Sequence, residues 1–91
     1  MKLKGDAKLH VRILSPTALH YDGPALAVSA VNQVGPFDIL ADHANFFSLL
    51  SPGNVKVTTA TEPFEVPVKQ GIMKVKNNEI TLFVDIEHES A

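Results

Sequence analysis

Gly35-Pro36-Phe37-Asp38-Ile39-Leu40-Ala41-Asp42-His43-Ala44-Asn45-Phe46-Phe47-Ser48-Leu49-Leu50-Ser51-Pro52-Gly53 is the stretch on which the fold turns. A Gly-Pro pair opens it and a Pro-Gly pair closes it. Two apolar runs, 37–40 and 46–50, flank a short polar link at Asp42-His43. Such punctuation predicts two short strands joined by a tight corner. A helix over 42–50 is the competing reading, because Asp42 could cap it and Phe46, Leu49 and Leu50 recur three and four apart. The strand is favoured: so short a helix is marginal alone, and Phe46-Phe47 is followed closely by Pro52-Gly53. The stretch holds no catalytic constellation and reads as a surface shaped to dock.

Upstream, Leu9, Val11 and Ile13 alternate with His10 and Arg12, a period of two that predicts a strand with one buried face. Ser15-Pro16 stops it. Leu19-His20-Tyr21 predicts a short extended piece before Asp22-Gly23-Pro24, and the small and β-branched run 25–31 predicts a third strand. Asn32-Gln33-Val34-Gly35-Pro36 is a turn. Downstream, Val55 and Val57 alternate with Lys56 and Thr58. Phe64, Val66 and Val68 alternate with Glu65, Pro67 and Lys69, and Pro67, which has no N–H, is expected at an edge or bulge. Gln70-Gly71 is read as a break between this run and another strand at 72–75. Lys76-Asn77-Asn78-Glu79 is a hairpin signal, since asparagine tolerates positive φ, and 80–86 is the last strand. About nine short strands, with no helix-length period and no internal repeat, predict an all-β fold: an antiparallel β-sandwich of two sheets.

At 91 residues the chain is expected to form one domain, 1–91, with its core in 9–87. A chain of this size buries roughly 60–70% of its unfolded surface, so the core is modest. A net charge of -2 argues against nucleic acid, which would demand a basic stripe to match its phosphates. Lys2, Lys4, Lys8 and Arg12 early, and Asp85, Glu87 and Glu89 late, read as solvated ends. With no cysteine there is neither a disulfide framework nor a thiolate metal site. The lysines of residues 1–6 precede no long apolar run, so no secretory signal is expected, and no stretch approaches the ~18 apolar residues of a spanning helix. Any membrane role is therefore expected to run through a partner.

His43 beside Asp42, with Ser48 nearby, invites a catalytic reading. A nucleophile needs a base in reach and a third group to orient it, and neither a Gly-x-Ser-x-Gly elbow nor a phosphate-binding glycine loop is present. His10, His20, His43 and His88 lack the paired spacing of a metal site. His43 reads instead as a residue that fixes the corner by a hydrogen bond, as part of a partner interface, or both. Adjacent Phe46 and Phe47 must point to opposite faces of a strand. One belongs in the core, and the other, if exposed, marks a partner site. Met73 reads as core or as facing a partner. No catalytic, cofactor or metal residue is expected.

Gly35, Phe37, Ile39, Leu40, His43, Ala44, Leu49, Leu50, Pro52 and Gly53 follow a pattern that resembles the signature of the epsilon subunit of rotary ATP synthases, called delta in mitochondria. That signature reads roughly Gly-Glu-Phe-Gly-Ile-Leu-Pro-Gly-His-Ala-Pro-Leu-Leu, then Lys-Pro-Gly. Asp38 and Asp42 stand where it has glycines, and Ala41 and Asn45 where it has prolines. The resemblance runs from Leu9 to about Glu87 and implies a flattened two-sheet sandwich of about ten strands. It implies a non-catalytic rotor subunit of the central stalk, which binds the gamma subunit and the c-ring and helps couple ion translocation to ATP synthesis. Carried over by position, gamma contacts fall on Ala41, Asp42, His43, Ala44, Phe46, Phe47, Gln70, Gly71, Ile72 and Met73. Ring contacts fall on Asn32, Gln33, Val34, Gly35, Pro36 and Asp38. It implies no cofactor, no nucleic acid, no small-molecule substrate and no direct membrane insertion, and a place on the cytoplasmic face of the inner membrane if the source is bacterial. The resembled subunit continues into a two-helix hairpin that this sequence lacks, so neither hairpin inhibition nor nucleotide binding is expected of it. The alternative class is a free-standing β-sandwich module that binds a peptide or carbohydrate.

Overall fold

Leu9, Val11 and Ile13 are buried while Arg12 is exposed, so the two-residue period becomes the inner and outer faces of the first strand. The computed structural model describes residues 7–86. Among these it shows eight strands: β1 (Leu9–Leu14), β2 (Leu19–Ala25), β3 (Ala27–Asn32), β4 (Gly35–Leu40), β5 (Phe46–Leu50), β6 (Gly53–Thr58), β7 (Phe64–Lys76) and β8 (Glu79–Ile86). The order is β2-β1-β8-β7-β6-β3-β4, with β5 also on β7. All neighbours are antiparallel except β1 and β8, which run parallel from His10 opposite Glu79 to Leu14 opposite Phe83. Asn77 and Asn78, at φ 52° and 65°, make the tight β7–β8 turn that their residue type predicts.

Eight strands replace the nine expected because β7 is a single strand of 13 residues. Gln70-Gly71 does not break it. The register with β8 passes from Val68 opposite Ile86 to Gln70 opposite Asp85, leaving Lys69 as a bulge. Before the bulge β7 pairs with β6; after it, β7 lies between β5 and β8. Gly71 is required by close approach: a Cβ there would lie 2.6 Å from the carbonyl oxygen of Phe83. Pro67 lies where β7 has a partner on one side only, the setting that tolerates a missing N–H.

The shared strand divides the ladder into two layers, β2-β1-β8-β7-β5 and β7-β6-β3-β4. Ring contacts close one layer onto the other. Tyr21 of β2 meets Phe64 at the start of β7 with centroids 5.3 Å apart, and Phe37 of β4 meets Phe46 of β5 at 5.5 Å. The shortest extent, 18 Å, suits two sheets packed ~10 Å apart. Leu9, Ile13, Ile39, Met73, Ile80 and Leu82 are fully buried between them. Each such side chain contributes about 1.5–3 kcal/mol on burial.

Candidate docking surface

The corner between β4 and β5 is built from short-range hydrogen bonds. The His43 amide donates to the Leu40 carbonyl at 3.2 Å, and Asp42 sits at φ 64°, in the left-handed region. Aspartate enters that region more readily than most side chains because its carboxylate bonds locally. Here the Asp42 amide donates to Oδ1 of Asn78 at 2.7 Å, and Nδ2 of Asn78 donates back to the Asp42 carboxylate at 3.2 Å. The bond from Asn78, aided by the Lys8 ammonium at 3.5 Å, holds the Asp42 carboxyl below the usual carboxylate range. The corner is thereby pinned to the β7–β8 turn. The His43 ring lies beside it, with Nδ1 donating to the Ala44 carbonyl at 2.8 Å and its plane edge-on to Phe46 at 5.6 Å.

Along β5 the side chains alternate. Phe47 and Leu49 point outward, 61% and 68% exposed, while Ser48 and Leu50 point inward. Strand register then aligns apolar residues that are distant in sequence. Leu49 is opposite Ile72, Ile72 opposite Phe83, Phe83 opposite Leu14, and Leu14 opposite Leu19. This row crosses five strands, and Leu49, Phe83 and Leu19 are each half exposed or more. Four inter-strand spacings make it about 19 Å long. Leu14, Pro16, Leu49, Ile72 and Phe83 line a shallow groove of about 540 Å³ along it.

Residues 8–88 match the family model of the ATP synthase delta/epsilon chain β-sandwich domain. The chain belongs to this family. Among its curated relatives, the epsilon chain of Synechococcus elongatus is 34% identical over 77 residues, which cover 85% of this chain and 56% of the relative. The epsilon chain of Sulfurimonas denitrificans is 29% identical over 80 residues, 87% of this chain and 62% of the relative. The chain thus spans roughly 56–62% of these relatives' lengths. Solved structures share the fold at low identity. A chain of the Euglena gracilis mitochondrial ATP synthase OSCP/F1/c-ring assembly aligns with a TM-score of 0.79 at 16% identity, over 87% of this chain and 51% of its own. A chain of the Tetrahymena thermophila mitochondrial ATP synthase central stalk and c-ring gives 0.76 at 17%, over 85% and 63%.

In this delta/epsilon β-sandwich the residues singled out from sequence fall in three places. The corner, with Asp42, His43 and Ala44 exposed and Ala41 half-buried, stands at one end of the β5–β7 pair. Gln70, Gly71 and Ile72 stand at the other end, where Gly71 is opposite Leu50. Phe47, opposite Lys74, lies between them on the outer face. Met73 is 0% exposed: its side chain joins the core and presents nothing to a partner. Phe46 is half-buried on Phe37, so the outward aromatic of the pair is Phe47.

The third place is the β3–β4 hairpin of the delta/epsilon domain. Oδ1 of Asn32 accepts from the amides of Val34 and Gly35, at 2.9 and 3.3 Å, and Gly35 sits at φ 137°. Val34 at the tip is 96% exposed, Gln33, Pro36 and Asp38 are exposed, and Asp38 accepts from the Ser29 hydroxyl at 2.7 Å. Asn32 also donates to Ser48 at 3.2 Å, and the Ser51 amide donates to Val31. The hairpin therefore stands where β5 ends, away from the corner. Ser48 is buried and its hydroxyl donates to the Leu49 carbonyl at 3.1 Å, so it faces Asn32 and does not form a nucleophile–base pair with His43.

Among the described residues no group of His, Asp and Glu is arranged to hold a metal ion, and no helix is long and apolar enough to cross a membrane. His20 lies 2.8 Å from the Ser15 hydroxyl, whereas His88 is outside the described residues. Sequence reasoning missed Leu14, Leu19, Leu49 and Phe83 as a surface. They lie on four different strands, and only the register puts them in one row.

Proposed function

We propose that this domain serves in the central stalk of a rotary ATP synthase as a rigid, non-catalytic docking slab. The observation that carries the reading is the bare apolar row on the outer face of a delta/epsilon-family sandwich. Exposed apolar side chains scattered singly are ordinary, but a contiguous row marks an interaction face. The gamma subunit would lie along this face, from Ala41, Asp42, His43 and Ala44 through Phe47 to Gln70, Gly71 and Ile72, with Leu49 and Phe83 as its apolar anchors. The c-ring would meet the β3–β4 hairpin: Asn32, Gln33, Val34, Gly35, Pro36 and Asp38. The two chains of like fold come from assemblies that include a central stalk and c-ring or OSCP, F1 and a c-ring, which supports this arrangement. A site on a membrane-embedded ring makes the domain peripheral to the membrane, on the cytoplasmic face if the source is bacterial.

The role in coupling follows from stiffness. Every strand belongs to one hydrogen-bonded ladder, and a close-packed interior resists compression and transmits strain. The domain would turn with its partners and leave the chemistry to other subunits. Titration of the purified chain with the gamma subunit of its own organism tests this. Binding that is lost in Leu49→Asp/Phe83→Asp supports the reading; no binding by the native chain overturns it in favour of a free-standing module.

A further inference from the structure

His10 lies on the outer face of β1, between two carboxylates contributed by the strands on either side. Its Nε2 is 2.6 Å from Oδ1 of Asp22 on β2, and its Nδ1 is 3.1 Å from Oε1 of Glu79 on β8. An ionised carboxylate only accepts hydrogen bonds, and a neutral imidazole carries one N–H. Both contacts are hydrogen bonds only when the ring is an imidazolium with two N–H groups. After loss of one proton to solvent, a nitrogen lone pair faces a carboxylate oxygen and one contact turns repulsive. We propose that His10 is a pH-dependent clamp that fastens edge strand β2 to the rest of the sheet, closed when the ring carries both protons and loosened when it carries one.

The setting gives the clamp something to hold. β2 has a single strand neighbour, β1, and its only other ring contact among those described is Tyr21 on Phe64. The charged groups around His10 are few. On its own strand Arg12 reaches the other Asp22 oxygen at 3.9 Å. Lys8, just before β1, is engaged with Asp42. On β7 Lys76 is opposite Glu79, and the β2 residue opposite His10 is the uncharged Pro24. The carboxylates therefore dominate. The Asp22 bond raises the ring's pKa above the ordinary histidine value, partial desolvation opposes it, and Glu79 adds to the rise. A group whose folded-state value is raised contributes stability that is complete below its unfolded value of ~6.5 and is lost as pH climbs through the higher folded one.

The test is nitrogen-detected NMR titration of the histidine rings in the unaltered chain, with amide exchange followed in the same samples. The expected result is a His10 that titrates above the ordinary histidine value of ~6.5. Asp22→Asn should lower that midpoint more than Glu79→Gln does. As pH passes the midpoint, exchange protection of β2 amides should fall several-fold relative to those of β6, reporting local opening. A His10 midpoint at or below the ordinary value, a midpoint unmoved by Asp22→Asn, or β2 protection that tracks β6 throughout would each overturn the clamp.

Discussion

The outer face of the layer β2-β1-β8-β7-β5 has two ends that differ in kind. At the end near the β7–β8 turn, polar side chains engage one another: Lys8 with Asp42, Asp42 with Asn78, and His10 with both Asp22 and Glu79. At the opposite end Leu49, Phe83 and Leu19 stand half exposed or more, in register with Ile72 and Leu14. One end has satisfied itself from within the chain; the other is left bare. The difference teaches that this layer is built to hold its corner still while offering an apolar strip beside it.

The most severe way to break this contrast is to charge the bare end. Leu49→Asp with Phe83→Asp should weaken gamma binding at least ~100-fold, because buried apolar anchors dominate interface energies. Both positions are exposed, so stability should shift by no more than about 0.5 kcal/mol per site. Calorimetric titration and thermal melts read the two effects separately; undiminished binding would mean that the row is not the interface. Next in size, Gly71→Ala should cost about 1–3 kcal/mol in a urea unfolding series, because the added methyl meets the Phe83 carbonyl at 2.6 Å. An unchanged midpoint would show that β7 and β8 have room to part there.

The polar end should respond more gently. Asn78→Gly keeps the left-handed backbone but removes both bonds to Asp42, and should lower the thermal midpoint by a few degrees. It should also flatten the acid limb of the stability profile. Asp42's depressed pKa contributes stability that is present above the ordinary carboxylate value and is lost as pH falls through the lower folded value. If the acid limb keeps its shape, Asn78 is not what holds the carboxylate. The smallest change is His10→Gln, which should remove the decline that sets in as pH rises above ~6.5, while staying within the ~0–1 kcal/mol typical of exposed ion pairs. A decline that persists in this variant must come from another group.

Much of this fold was legible because single-strand alternation survives into the structure: Leu9, Val11 and Ile13 inward, Phe47 outward, and Asn77-Asn78 in a tight turn. What misled was Gln70-Gly71. A glycine inside a strand pattern reads as an interruption, yet here it serves the close passage of β8, a demand made by a residue 12 positions away. The corner was legible as a corner, but its fastening to Asn78 was not, since that bond spans 36 positions. The apolar row was hidden for the same reason. Leu49 and Phe83 each follow the ordinary β pattern, and their adjacency to Ile72 and Leu14 is a property of pairing. Met73 was left open between core and partner by sequence; the alternation of β7 turns it inward.

The bulge at Lys69 gives β7 a place in both layers. Its mechanical consequence is that the two sheets cannot slide past each other as independent plates. Lateral shear between them must pull on the peptide bonds of one continuous backbone, which yields far less than interdigitated side chains do. Cutting the chain within the connection at 59–63 would leave that tie intact, whereas a cut at Gly71 would sever it and leave the girder held at its corners, by the short links at Leu26 and Ser51-Pro52.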